Sequence, residues 1–441
     1  MIPTTLSKNV NETPIMAVGG HGVWIETAEG RTILDTCGGV AVSSLGHRHP
    51  RIAEAMIREA ENIAWVHAGS FTTPSVEALS DFLVSRSGGM VCAQFLSGGS
   101  EAMELAIKIA LQVQQERAET RRRRLISRHQ SYHGSTLGLL RVSGNPARRY
   151  PFDDAIGDGD FVQPCYSYRG KLPGESEPEY VQRLANDLEE KILSIGPSNV
   201  AAFLAEPVVG SAGGAIPFCR GYLSSMQSVC RRHGVLFIID DVMSGMGRTG
   251  YLFSHLEECF VPDIVAVGKG LAAGYQPLSA VLLSEPVFRT IANGSGVLRN
   301  GQTNVNHPIA CAIALEVQRT IEEEGLLDLV KTRGELMRAL LRDALSDHSH
   351  VGDIRGKGLM IGVEFVTDRT TKSPPTDTNA ITVALKKAAL ARDLLIYPGG
   401  GTADGKLGNH VMFAPPFIAS EDEIALMVQR FVATLGDVRV H

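Results

Sequence analysis

The stretch GVLFIIDD, Gly234 to Asp241, is a short unbroken apolar run closed by two carboxylates. A run of that length, opened by Gly and ended by Asp, reads as a strand buried on both faces, the kind found in parallel sheets covered by helices. Asp240 and Asp241 then stand at its carboxyl end, the edge where open α/β sheets bind ligands. A second run, PDIVAVGKG from Pro262 to Gly270, repeats the design with Lys269 just past its apolar residues. An acid and an amine are therefore expected to face one crevice.

Working outward, strand and helix patterns alternate to about Ala292, which predicts a mostly parallel sheet with helices on both faces. Pro50 to Ile63 and Ser75 to Ser85 carry apolar residues at helical spacing. Upstream, GVWIETAEGRTILDTCGG (Gly22 to Gly39) reads as a small hairpin-rich unit. Downstream, Pro308 to Leu345 is strongly helical and leads into GDIRGKGLMIGVEFV (Gly352 to Val366), a strand pair with a Gly-rich start. The polar TDRTTKSPPTDTN (Thr367 to Asn379) is expected to be a mobile surface loop, followed by a helix, a strand and a last helix. A second, smaller α+β unit is implied.

The chain has 441 residues, 44% of them hydrophobic, and a net charge of -6 with a pI near 6.1. That charge offers no general attraction to nucleic acid or to an anionic membrane, so a small-molecule partner is expected. The seven cysteines (Cys37, Cys92, Cys165, Cys219, Cys230, Cys259 and Cys311) form no C-x-x-C, and neither a disulfide framework nor a metal site is expected. No stretch approaches the roughly 20 apolar residues of a membrane helix, and Met1 to Asn11 is polar, so a cytoplasmic protein is expected. The basic cluster Arg121 to Arg124 reads as a solvated face near a helix C-terminus.

Lys269 and Asp240 in an apolar setting match what pyridoxal 5'-phosphate requires. A desolvated lysine forms an imine with the cofactor, and a carboxylate on the pyridine nitrogen keeps that nitrogen protonated. LSGGSEAMELAIKIAL (Leu96 to Leu111) opens a helix with a Gly-Gly-Ser turn, where free backbone N–H groups bind phosphate. Gly99 and Ser100 are the candidates there. In HQSYHGSTLG (His129 to Gly138), Tyr132 offers an aromatic face for the ring, while His133 reads as a hydrogen-bonded loop histidine rather than a base. Alone, each signal has a plainer reading: a surface lysine, a helix-capping aspartate, a serine N-cap. A nicotinamide dehydrogenase is disfavoured because no G-x-G-x-x-G joins a strand to a helix.

LGHRHPRI, SGGSEAMELAIK, SYHGSTLG, AEPVVG, FIIDDVMSGMGRTG, DIVAVGKGLAAGYQPLSA, GQTNVNHPIACAIALE and IRGKGLMIGVEF run through nearly the whole chain. In that order they resemble the class III aminotransferases of the ornithine and ω-amino acid type, among the fold type I pyridoxal phosphate enzymes. The resemblance implies an α/β large domain at residues 61–307 with a mostly parallel seven-stranded sheet. It also implies a smaller α+β domain at 308–441, of which residues 1–60 form the N-terminal part. It implies a homodimer with sites at the interface, Lys269 holding the cofactor as a Schiff base, Val242 on the ring face opposite Tyr132, and Glu206 nearby. Thr303 would reach the cofactor phosphate of the other subunit. The implied reaction is ping-pong amino transfer from an amine or ω-amino donor to a small keto acid such as pyruvate. A racemase, epimerase or decarboxylase on the same scaffold is the alternative, and a nonenzymatic regulator would have lost Lys269 or Asp240.

Three positions depart from the family pattern. Asp241 stands where a glutamate is usual, NGQTNV alters the surroundings of Asn304 but keeps Thr303, and Met412 replaces an arginine of ornithine- and GABA-type members. Between Asp393 and Pro416 the only lysine or arginine is Lys406. The expectation is a donor without a carboxylate near the reacting carbon, with the acceptor's carboxylate held by Lys406 or by an arginine from elsewhere such as Arg299. Trp65, Phe71 and Tyr397 are candidate apolar walls, and Trp65, Tyr132 and Lys406 the candidate substrate contacts.

Overall fold

A computed structural model describes residues 5–7, 9–258 and 260–440. At its centre lies a seven-stranded sheet in the order Met90–Leu96, Ser279–Ser284, Ile264–Val267, Leu236–Asp240, Val200–Ala205, Arg124–Arg128, Asp160–Val162. Ser279–Ser284 runs antiparallel to both neighbours, and every other pairing is parallel. The apolar run that suggested a doubly covered strand is buried throughout. Its side chains alternate between two cores, as the pleat requires. Leu236 and Ile238 join the core beneath the Gly99–Glu116 helix. Phe237 and Ile239 face the opposite core, shared with the Glu177–Ile195 and Tyr222–Arg232 helices. There Phe237 stacks on Phe203 of the next strand with ring centroids 5.4 Å apart.

Two four-stranded sheets flank this body. Ala17–His21, Trp24–Thr27 and Thr32–Asp35 form a meander that pairs in parallel with Leu394–Leu395, so the start of the chain is joined to its C-terminal part. The hairpin Val351–Lys357 and Met360–Phe365 continues through Asn409–Phe413 to Tyr397–Gly400. The helical stretch after Pro308 is two helices, Pro308–Glu323 and Leu326–Leu345. Gly325, at φ +64°, breaks it, a conformation that costs glycine little. In Thr367 to Asn379 the Asp368 side chain accepts from Thr370 N and Thr371 N, and the next helix already starts at Thr378.

In the arginine cluster Arg121, Arg123 and Arg124 are exposed, as a solvated face requires, and Arg122 departs from that reading. The preceding helix ends at Glu116, Ala118 at φ +61° turns the chain, and Arg124 opens a strand. Arg122 is half-buried and donates to the carbonyls of Pro197 and Val200, while Arg124 pairs with Asp160 at 2.7 Å. Arg122 and Arg124 thus brace a strand entrance.

A buried polar knot joins the central body to the C-terminal hairpin. Glu364 is fully buried. It takes Arg355 Nη1 at 2.5 Å, Arg169 Nε at 2.6 Å and the Tyr166 hydroxyl. Arg355 also donates to the carbonyls of Gly213 and Gly214. Among the described residues no helix is long and apolar enough to cross a membrane, six cysteines are free, and no group of three or more His, Cys, Asp or Glu can hold a metal. Cys259 lies outside the described residues.

Candidate active site

Asp240 is the last residue of its strand, and Asp241 follows with its side chain to the other side. The two carboxylates have separate employments. Asp241 accepts from Ser244 Oγ and Ser254 N, both at 2.7 Å, and burial pushes it up to about 6. Asp240 accepts from Val242 N at 3.2 Å and lies 2.8 Å from Nδ1 of His133. A carboxylate only accepts, so Nδ1 carries the proton. Nε2 of His133 is buried without a partner among the described residues.

Lys269 follows the adjacent parallel strand and sits at φ +44°, a left-handed backbone that aims it off the strand end. Its Nζ donates to the carbonyl of Val40 at 3.1 Å. Burial drives the ammonium down to about 8; Asp240 and Glu206 oppose the shift, and Arg148 and Arg248 add to it. Glu206, also buried, accepts from Tyr132 N at 3.0 Å and Gly210 N at 3.1 Å. Burial pushes its carboxyl above the ordinary range.

The Gly99–Glu116 helix starts at the same edge, with its first-turn N–H groups lacking carbonyls within the helix. Ser100 Oγ accepts from Ser135 N at 3.2 Å. Gly99 and Gly268 both close on Val242: a Cβ on Gly99 would stand 2.8 Å from Val242 Cγ1, and one on Gly268 would stand 3.2 Å from it. Two loops can seat the valine only because both residues lack side chains.

These groups converge on a cavity of about 180 Å³. Gly99, Ser100, Tyr132, Glu206, Asp240 and Val242 all line it, with Lys269. It can take a flat aromatic aldehyde bearing a phosphate and a basic ring nitrogen. There the helix start would take the phosphate, Tyr132 and Val242 would flank the ring, Asp240 would meet the nitrogen, and the desolvated Lys269 amine would meet the aldehyde. A wider, open cleft of about 320 Å³ lies elsewhere, beside Tyr168 and Arg355. Its Lys171 and Arg355 are balanced by Glu177 and Asp353, and it has no comparable convergence.

The other expected residues lie apart. Thr303 is exposed, and its carbonyl accepts from Trp65 Nε1 at 3.2 Å; neither residue lines the cavity. Phe71 is exposed. Lys406 is exposed and off the cavity lining. Arg299 bonds through its backbone to Gln112, thirteen residues along the helix from Gly99, about 20 Å at the helical rise. Met412 is buried in an apolar cluster with Val208, Ala215 and Met360, against which Val40, Met243 and Tyr397 pack. Met243 lines the cavity, so this cluster backs its apolar side.

Sequence reasoning missed the pairing of His133 with Asp240, the Val40 carbonyl, and the entry of Ser211 and Met243 into the lining. No periodicity marks these positions; only the fold brings them together.

The family model described as Aminotransferase class-III matches residues 5–435. An aminotransferase of Gibberella zeae is 38% identical over 95% of this chain and 83% of that protein. The uncharacterized aminotransferase YodT of Bacillus subtilis is 37% identical over 95% of this chain and 94% of its own length. Among solved structures, the omega transaminase from Pseudomonas jessenii in complex with PMP superposes with a TM-score of 0.91 at 32% identity, covering 99% of this chain and 96% of that one.

Proposed function

The chain belongs to the class III aminotransferases, enzymes that use pyridoxal 5'-phosphate, and within that family we propose ping-pong transfer from an amine or ω-amino donor to a small keto acid such as pyruvate. The observation that carries this reading is the meeting of Lys269 and Asp240, from the ends of adjacent parallel strands, in one buried cavity. Pyridoxal phosphate supplies an electron sink that makes the proton beside the substrate's amino group removable.

The chain's own groups divide the remaining work. Lys269 Nζ, brought to about 8 by burial, takes and returns the substrate's Cα proton, since an amine near neutrality suits both directions. Asp240 holds the proton of the ring nitrogen, and His133 holds Asp240 in place. Tyr132 and Val242 would bracket the ring, and the helix start at Gly99 and Ser100 would take the phosphate. Thr303, exposed on one protomer, completes the phosphate site of the partner in a homodimer.

For the donor, the cluster of Val40, Met243, Met360 and Met412 supports an amine whose far end carries no carboxylate. Mixing enzyme and amine without acceptor should convert the pyridoxal to the pyridoxamine form; a racemase or decarboxylase would leave no such stoichiometric conversion. Comparison of kcat/KM for matched donors with and without a terminal carboxylate tests the donor class. A tenfold preference for the carboxylate-bearing donor, about 1.4 kcal/mol, would overturn it.

A further inference from the structure

The residues anticipated as partners for the acceptor's carboxylate, Lys406 and Arg299, lie off the cavity. A different cation, itself just outside the lining, touches two of the lining residues directly. Arg148 belongs to the short Pro146–Arg149 turn of helix and is half-buried. Its guanidinium carbon is 4.3 Å from the centroid of the Tyr132 ring, and its Nη2 donates to Ser211 Oγ at 3.2 Å. Tyr132 and Ser211 both line the cavity. The charge of Arg148 is felt inside, since it helps to depress both Lys269 and the buried His410.

The guanidinium is largely unspent. Ser211 is its one side-chain hydrogen-bond partner among the described residues, and no carboxylate pairs with it. Its neighbour Arg149 is used up by contrast, bonding Asp153 and the carbonyls of Leu140, Arg141 and Gly157. An arginine seated over an aromatic ring, with donors left free next to a cavity, is set up for a planar anion. The nearby acids, Asp240 and Glu206, are held by His133, Val242, Tyr132 and Gly210, so none competes for it.

We propose that Arg148, steadied by Tyr132 and Ser211, binds the carboxylate of the keto acid acceptor and so sets the preference for keto acids over uncharged carbonyls. This rests on the aminotransferase reading above and adds the group that selects the second substrate. By microscopic reversibility the amino acid product, alanine in the case of pyruvate, uses the same contact.

The test uses the holoenzyme converted to its pyridoxamine form, with pyruvate and propanal as acceptors and the return of the pyridoxal spectrum as readout. In Arg148→Met the ratio of kcat/KM for pyruvate to that for propanal should fall at least tenfold, mainly through a higher KM for pyruvate. Arg148→Lys, which keeps the charge but not the fork, should recover part of it. A ratio within twofold of wild type in Arg148→Met, or equal losses for both acceptors in both variants, would overturn the proposal. Failure of the wild-type enzyme itself to reach the pyridoxamine form with an amine would instead overturn the aminotransferase reading, and this assignment with it.

Discussion

Nδ1 of His133 and Oδ2 of Asp240 lie 2.8 Å apart, both side chains almost wholly out of solvent. The histidine orients the carboxylate proposed for the ring nitrogen, while Val242 N holds its other oxygen. Hydrogen bonds to charged groups contribute about 1.5 to 3 kcal/mol. His133→Phe should accordingly lower kcat by ten- to a hundredfold, and His133→Asn should recover part of it. The check is steady-state kinetics with the bound-cofactor spectrum recorded in parallel. Unaltered kcat and spectrum in both variants would remove His133 from the site.

The neighbouring aspartates should respond differently to the same change. Asp240→Asn strips the charge opposite the ring nitrogen, a loss of about 3 to 5 kcal/mol for a broken buried pair, felt mainly as slow proton removal. Asp241→Asn can still accept from Ser254 N and donate to Ser244 Oγ, so activity should persist with a modest change in stability. A solvent-insensitive primary isotope effect on the donor's Cα hydrogen should grow in the Asp240 variant alone. The reverse pattern would mean that the two carboxylates had been interchanged.

Lys269→Ala should abolish turnover and the visible absorbance of lysine-bound cofactor while leaving a folded protein. A stability measurement adds an independent arm. Burial lowers this lysine from 10.5 to about 8, so the stability it contributes is present above pH 10.5 and is lost as the pH falls through about 8. In enzyme stripped of cofactor, Lys269→Met should therefore be more stable than wild type at pH 7, by up to about 3 kcal/mol. The advantage should close as the pH approaches 10.5. Denaturant titrations at pH 7 and pH 10 would show it, and an equal gap at both values would contradict the burial argument.

Thr303 can be tested in mixed dimers. One protomer carries Lys269→Ala and the other Thr303→Val, with the double variant's homodimer as control. If the threonine serves the partner's site, the mixed dimer contains one intact site and should regain close to half of wild-type activity. If it serves its own protomer, the mixed dimer should show the weakened cofactor affinity of Thr303→Val, about ten- to a hundredfold for a hydrogen bond to a charged phosphate.

What could be read from the chain was whatever has a local signature. The buried strand ending in Asp240 announced itself by an apolar run without alternation, and the helix start at Gly99 by glycines before an amphipathic pattern. Lys269 followed from its place after a second buried strand and Tyr132 from its short Gly-containing loop, whereas Glu206 and Val242 came from the family resemblance alone. Arg148 came from neither, because Asn-Pro-Ala-Arg-Arg looks like any polar turn, and only the tertiary position of Tyr132 separates Arg148 from Arg149. Among the arginines at 121–124 only the half-buried bracing role of Arg122 escaped the reading, because the chain turns at a left-handed Ala118 and alanine gives no hint of that.

Glu364 makes the C-terminal hairpin and the central body thermodynamically inseparable. Were the two to part, the Glu364–Arg355 pair would stay on the hairpin but lose Arg169 and the Tyr166 hydroxyl, and Arg355 would lose the carbonyls of Gly213 and Gly214, at a cost of several kcal/mol. A half-open species is thereby disfavoured relative to both the intact and the fully unfolded chain. Calorimetry should register a single cooperative endotherm for two structural units, and Glu364→Gln should be the substitution that splits it.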